Sequence, residues 1–126
     1  MKLATALLLL LSMPVIAANP WLCIGEYGAS VTDYKSQVTG SDSFTNSQKF
    51  LINDEGFRIF GDEYAIISTC MWIDGRPTHC QDGETRVDEF SMGPNLVFTL
   101  IRLAGEEIDG ELKLTHYILK GKCSKL

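Results

Sequence analysis

Four cysteines are the residues of this sequence whose type and number most directly imply chemistry: Cys23, Cys70, Cys80 and Cys123. An even number of cysteines favours disulfide bonds in a chain that is exported to an oxidising compartment. We expect the pairs Cys23–Cys123 and Cys70–Cys80, because the Asp74-Gly75 dipeptide between the second pair is a tight-turn signal. Zinc binding is disfavoured because no Cys-x-x-Cys pair occurs.

The two histidines offer side chains for proton transfer or ligand binding. His116 shares one face of a predicted strand with three apolar residues, and we expect that face to point inward. These are Leu112, Leu114 and Ile118. There His116 is either the polar group of a ligand cavity or a core histidine hydrogen-bonded to backbone or water. His79 is expected to be an exposed strand residue, and without a His-x-x-x-His pair there is no metal signal.

Acidic pairs recur along the chain, mostly beside glycine in predicted turns, where solvated charge is expected. They are Asp54-Glu55, Asp62-Glu63, Asp88-Glu89 and Glu106-Glu107. Neither a Gly-x-Ser-x-Gly motif nor a glycine-rich phosphate loop occurs. The sequence therefore predicts a protein that is not an enzyme and that carries no cofactor.

Two aromatic residues, Tyr34 and Phe44, lie within the most polar stretch of the chain, residues 28–47. We expect this stretch to be a long loop, and such loops in compact domains are often functional. Tyr34 and Phe44 are then either exposed contact residues or side chains that pin the loop onto the domain. With His116 and Trp72, which lies on a strand predicted over residues 64–73, they are the candidate ligand-binding residues.

The N-terminus determines the compartment that we expect. Lys2 precedes an apolar stretch that ends in Ala17-Ala18, which is the pattern of a cleaved secretory signal. The stretch contains Ser12 and Pro14 and is shorter than the ~20 apolar residues of a membrane-spanning helix. We therefore expect residues 1–18 to be a signal peptide, residues 19–126 to be one exported domain, periplasmic or extracellular, and no transmembrane segment after cleavage.

The spacing of apolar segments predicts the fold class. Short strand-like segments recur roughly every ten residues with glycine-rich turns between them, and no long segment has a helical period. We expect a mainly β domain, an antiparallel meander of about eight short strands that closes into a small barrel or a folded-over sandwich. A Cys23–Cys123 bond would join the first strand to the last.

Charge restricts the partners. Without residues 1–18 the chain keeps ten basic and sixteen acidic side chains. We therefore expect no binding to nucleic acid, because the phosphate backbone requires clustered positive charge. A cationic protein would be attracted instead. This leaves two expected functions: an envelope binding protein for a small apolar or amphipathic ligand, or a protein-interaction module such as an inhibitor of a cationic hydrolase.

The layout resembles that of small, uncharacterised exported bacterial β proteins with two disulfides. The shared features are Trp21-Leu22-Cys23, Phe50-Leu51-Ile52, a mid-chain cysteine pair and Gly121-Lys122-Cys123. The resemblance implies a disulfide-bonded exported domain and no particular activity. More distantly, the chain is similar to bacterial envelope lysozyme inhibitors, which are small disulfide-bonded β-barrels, although it lacks their Ser-Gly-x-x-Tyr loop motif.

Overall fold

The computed structural model describes residues 19–35, 37–82 and 88–126, so the predicted signal peptide lies outside the described residues. Within those ranges the protein contains nine β-strands and no helix. The strands are β1 (Trp21–Tyr34), β2 (Gln37–Thr45), β3 (Lys49–Asn53), β4 (Gly56–Ile59), β5 (Cys70–Ile73), β6 (Arg76–Gln81), β7 (Asp88–Met92), β8 (Val97–Ile108) and β9 (Glu111–Lys125). The predicted mainly β meander is confirmed.

All pairings in the sheet are antiparallel, in the order β4-β3-β1-β9-β8-β7-β6-β5, and β2 pairs with β1 beside β3. The two ends of the sheet approach each other where Phe57 N donates to the Ile67 carbonyl at 2.8 Å. Trp21 Nε1 also donates to the Gly75 carbonyl at 3.0 Å, which ties β1 to the β5–β6 turn. The sheet thus forms a nearly closed barrel.

Both predicted disulfides are confirmed. Cys23–Cys123 joins β1 to β9, and Cys70–Cys80 joins β5 to β6. In each case the two cysteines are direct partners in the strand register. The bonds therefore cross-link strands that hydrogen bonding already pairs, and one of them connects residues a hundred positions apart.

Four phenylalanine rings form the centre of the barrel. Phe57 stacks on Phe50 with ring centroids 4.9 Å apart and lies 5.1 Å from Phe90, and Phe90 lies 5.8 Å from Phe98. All four are buried. Because strand side chains alternate between faces, each strand contributes only every second residue to this core.

Gly121 allows a close approach of β1 to β9. It is the register partner of Gly25 on one side and of Phe98 on the other. A Cβ atom at Gly121 would overlap the Ile24 carbonyl oxygen and lie 2.7 Å from the Phe98 ring. The bare backbone of Gly121 therefore makes room for both the ring and the neighbouring strand.

The longest strands continue beyond the barrel. Residues 27–34 of β1, all of β2, residues 103–108 of β8 and residues 111–118 of β9 form what we call the four-stranded extension, in the order β2-β1-β9-β8. The prediction of a long loop over residues 28–47 is therefore wrong, because most of that stretch lies in β1 and β2. The serine and threonine side chains of β2 are exposed, and polar residues at such positions are compatible with backbone pairing.

One further segment prediction is also wrong. The strand predicted over residues 64–73 is limited to β5, because Ile67 instead bridges to β4 and Asp82 Oδ1 accepts hydrogen bonds from the backbone of Ser68 and Thr69. The turn between β8 and β9 consists of Asp109 and Gly110, both of which have positive φ.

Candidate functional site

A cleft of about 350 Å³ lies where the barrel meets the four-stranded extension. Most of the residues that line it are apolar: Phe44, Phe50, Ile59, Leu100, Leu103, Ala104, Tyr117 and Leu119. Asn46, Gln48 and Arg102 supply its polar groups. Side chains at this position face the same side of the sheet as the buried core, which we call the inner face.

An irregularity in two neighbouring strands lies at the cleft. The register of β1 against β9 shifts between Gly25 and Tyr27. Beside this shift, residues 46–48 connect β2 to β3 and belong to neither strand. Gly25 N donates to the Gln48 carbonyl at 2.9 Å, and Asn46 N donates to the Glu26 carbonyl at 3.2 Å. Bulges of this kind bend a strand. The irregularity lies beside Asn46 and Gln48, which both line the cleft.

Phe44 forms one side of the cleft because its register partner is a glycine. The ring lies over Gly28 of β1, where a Cβ atom would lie 2.7 Å from the ring carbons. The absence of a side chain at Gly28 thus lets the Phe44 ring lie flat on the backbone of the neighbouring strand. Aromatic side chains frequently cover cross-strand glycines in this way.

Arg102 carries the positive charge of the cleft. It lies on β8 directly opposite Asp88 of β7, and its Nε donates to Asp88 Oδ1 at 3.1 Å. The Asp88 side chain is only 19% exposed, whereas that of Arg102 is 41% exposed. The carboxylate therefore lies deeper and fixes the orientation of a guanidinium that faces the solvent-accessible cleft.

Together these groups provide an apolar wall, two amides and one guanidinium. Pockets with predominantly apolar walls and a few polar groups are typical of small-molecule binding, and 350 Å³ falls in the usual range of ~300–1,000 Å³. The arrangement suits a ligand with an apolar body that has a polar end.

Of the four candidate ligand-binding residues, only Phe44 lines this cleft. Tyr34 is half-buried near the end of β1, and Lys35 Nζ lies 5.3 Å from the centroid of its ring. Trp72 is half-buried on β5 and packs against the barrel core. The structure does not bring Tyr34, Trp72 and His116 together at the cleft.

The expectation that His116 points inward is wrong. Its side chain is 48% exposed, and its Nε2 lies 3.3 Å from Asp33 Oδ2. Ile118 on the same face is 45% exposed, whereas Leu119 of the opposite face is buried in the core. Apolar residues occupy both faces of β9 over residues 112–119, so the two-residue period could not identify the inner one.

Sequence reasoning missed Arg102 and Tyr117, which are direct partners across β8 and β9. A signal for Arg102 was nevertheless present. Phe98, Leu100 and Arg102 occupy alternate positions of one strand, so they share a face, and Phe98 and Leu100 are buried. A charged residue that continues a buried face is expected at the edge of the core. The pairing with Tyr117, in contrast, depended on the β8–β9 register.

The opposite face of the extension, which we call the outer face, has a different character. Several of its apolar side chains are more than a third exposed: Tyr27, Val31, Val38, Ile101, Leu112 and Ile118. The pair of His116 and Asp33 lies among them. Four acids flank the β8–β9 turn, and one of them, Glu107, shares the outer face with Ile101 by strand alternation.

Within the described part of the chain, no group of three or more His, Cys, Asp or Glu side chains could hold a metal ion. The same ranges contain no helix long and apolar enough to cross a membrane. No family model matches the chain, and neither a curated protein nor a solved structure matches it. The case for a function therefore rests on the physical features of the protein itself.

Proposed function

We propose that this protein is a non-catalytic envelope binding protein whose cleft holds a small apolar or amphipathic molecule. The observation that carries the proposal is the half-open cleft, lined mostly by apolar residues, at the mouth of a disulfide-bonded barrel. Two disulfides are compatible with an exported protein. In this cleft an apolar ligand would contact side chains of both the barrel and the four-stranded extension.

The core beneath the cleft supports this proposal because it is already filled. Phe50, Leu100 and Leu119 have their side chains largely buried, so the barrel interior is occupied by its own residues, as in other small barrels. A ligand would therefore lie on top of this core and against Phe44 and Tyr117. The ligand site is the mouth of the barrel rather than its interior.

The test uses N-phenyl-1-naphthylamine, an uncharged apolar dye whose fluorescence rises when it leaves water. We expect saturable binding to the oxidised domain of residues 19–126, with one site per chain. Tyr117→Asp removes an aromatic ring from the cleft wall and puts a hydrated carboxylate opposite Arg102 in its place, so it should weaken binding of the apolar dye roughly tenfold or more. Urea unfolding of each variant shows that the domain remains folded.

Ile118→Asp is the matched control. Ile118 is the next residue of the same strand, has similar partial exposure and lies on the outer face. This variant should bind the dye as the unaltered protein does. If Ile118→Asp abolishes binding and Tyr117→Asp does not, the dye binds the outer face and the cleft proposal is wrong.

A second candidate function, a protein-interaction module, is favoured by the outer face of the four-stranded extension. Its exposed apolar side chains, together with the acids flanking the β8–β9 turn, form a surface suited to a cationic protein. An inhibitor of a cationic hydrolase is one such module.

The interaction candidate predicts association with a basic protein that weakens as salt is raised. Hen egg-white lysozyme, a cationic hydrolase, is a direct probe. Replacing both Glu106 and Glu107 by Gln should reduce the association. The control replaces Asp54 by Asn and Glu55 by Gln at the β3–β4 turn, and it should leave the association unchanged. Association that survives both high salt and the Glu106/Glu107 replacement would contradict the electrostatic form of this candidate.

A further inference from the structure

We propose that the cleft selects a single-chain amphiphile with a carboxylate head, and that Arg102 is the residue that binds this head. This inference rests on the proposed function, since it specifies the ligand class of the same cleft. Its basis is the position, the charge and the remaining hydrogen-bonding capacity of one arginine.

Arg102 is the only charged residue among the described residues that line the cleft. The other polar lining residues are Asn46 and Gln48, which are neutral amides. Asp88, which pairs with Arg102, does not line the cleft. A ligand in the cleft therefore meets positive charge at one point of an otherwise neutral wall, and charge complementarity at that point favours an anion over a neutral or cationic group.

The geometry of the pair leaves the guanidinium able to bind. Asp88 Oδ1 accepts from the Nε of Arg102, and no other described residue accepts a hydrogen bond from its two terminal nitrogens. Those nitrogens form the planar fork that a carboxylate engages with two parallel hydrogen bonds. Because Asp88 fixes the Nε side, the fork is held in one orientation before the ligand arrives, which lowers the entropic cost of binding.

The size of the cleft limits the apolar part of the ligand. A protein cavity of ~150 Å³ holds one benzene molecule. A cleft of about 350 Å³ therefore admits about two groups of that size. A chain of about ten carbons fits this space, and its carboxylate would lie at the Arg102 end while the chain contacts Phe44 and Tyr117.

The experiment compares decanoic acid with decan-1-ol, which share a chain and differ in the head group. Both compete with N-phenyl-1-naphthylamine at pH 7.5, where the acid is ionised. We expect the acid to bind roughly ten- to a hundredfold more tightly than the alcohol, because a hydrogen bond between charged groups stabilises the complex by about that factor. In Arg102→Gln the acid should lose this advantage, whereas the alcohol should bind as before and so report an intact cleft.

Lys120→Gln is the control for net charge. It also removes one positive charge, but Lys120 Nζ donates to Thr99 Oγ1 and the residue does not line the cleft. The acid should keep its advantage in this variant. Equal loss in Arg102→Gln and Lys120→Gln would show a general charge effect and would overturn the role of Arg102.

The outcomes separate this inference from the proposed function. If the unaltered protein binds acid and alcohol equally well, the cleft binds apolar ligands and the inference is wrong. If it binds neither compound nor the dye, the proposed function fails and the inference fails with it. If Arg102→Gln binds neither compound, Arg102→Lys decides: retained preference for the acid supports the inference, and equal binding of the two overturns it.

Discussion

The two disulfides differ tenfold in the length of chain that they close, and this difference gives a quantitative prediction about stability. Cys23–Cys123 spans 100 residues, and Cys70–Cys80 spans 10. A cross-link stabilises the folded state mainly by restricting the unfolded chain, and the restriction increases with the logarithm of loop length. At 25 °C this model gives ~4.7 kcal/mol for the long loop and ~2.7 kcal/mol for the short one.

We expect the double variant Cys23→Ala/Cys123→Ala to lose about 2 kcal/mol more than Cys70→Ala/Cys80→Ala. Side-chain burial does not account for such a difference. Cys23, Cys123 and Cys80 are buried and Cys70 is half-buried, so truncation to alanine removes similar apolar surface from the two pairs. Since small domains are stable by only ~5–15 kcal/mol, the long-loop variant should be close to unfolding.

Urea unfolding of the three proteins at one pH, followed by far-ultraviolet circular dichroism, measures the difference. Free energies extrapolated to zero urea are compared rather than midpoints, because removing a cross-link expands the unfolded chain and steepens the dependence on urea. Equal losses in the two double variants, or a larger loss from Cys70→Ala/Cys80→Ala, would refute the argument from loop length.

Three other predictions concern single contacts and are checked by the same unfolding measurement. Gly121→Ala should cost about 3 kcal/mol or more because its Cβ overlaps backbone, whereas Gly40→Ala, with open space around it, should change stability by less than about 0.5 kcal/mol. Trp21→Phe should cost about 1 kcal/mol through loss of the hydrogen bond to Gly75, and an unchanged stability would show that this contact is not formed. Asp82→Ala should cost about 1–2 kcal/mol, since three donors of Ser68 and Thr69 lose their acceptor. Asp82→Asn keeps an accepting oxygen and should lose less stability. Equal losses in the two variants would contradict a role for that oxygen.

The sequence was sufficient for features that depend on local signals or on simple counting. An even number of cysteines and the Asp74-Gly75 turn predicted both disulfides, and Asp74 and Gly75 indeed have the positive φ angles of a tight hairpin turn. Repeated short apolar segments predicted an antiparallel β domain. These features follow from a few neighbouring residues, so no knowledge of distant contacts was needed.

Segments whose structure depends on distant partners were predicted incorrectly. Residues 37–45 contain glycine, serine and threonine and have little apolar character, yet they form β2 because β1 offers a paired backbone beside them. Residues 64–69 have strong strand character, but they lie mostly outside strands because Ile67 closes the barrel against Phe57. Strand propensity describes how well a residue fits a sheet. Whether a segment joins a sheet depends also on a neighbouring strand with which it can pair.

The sequence by itself therefore determined the covalent framework, the fold class and the acidic character of this protein. Only the tertiary structure decided which face of β9 is inner, and with it that Phe44 lines a cleft while His116 faces solvent beside Asp33. The physical reason is that a strand with apolar residues on both faces can turn either face toward the core. The sequence of the strand alone does not distinguish these two orientations. The bulge at Glu26 and the pairing of β9 with β1 and β8 select one of them, and these contacts join residues that are distant along the chain.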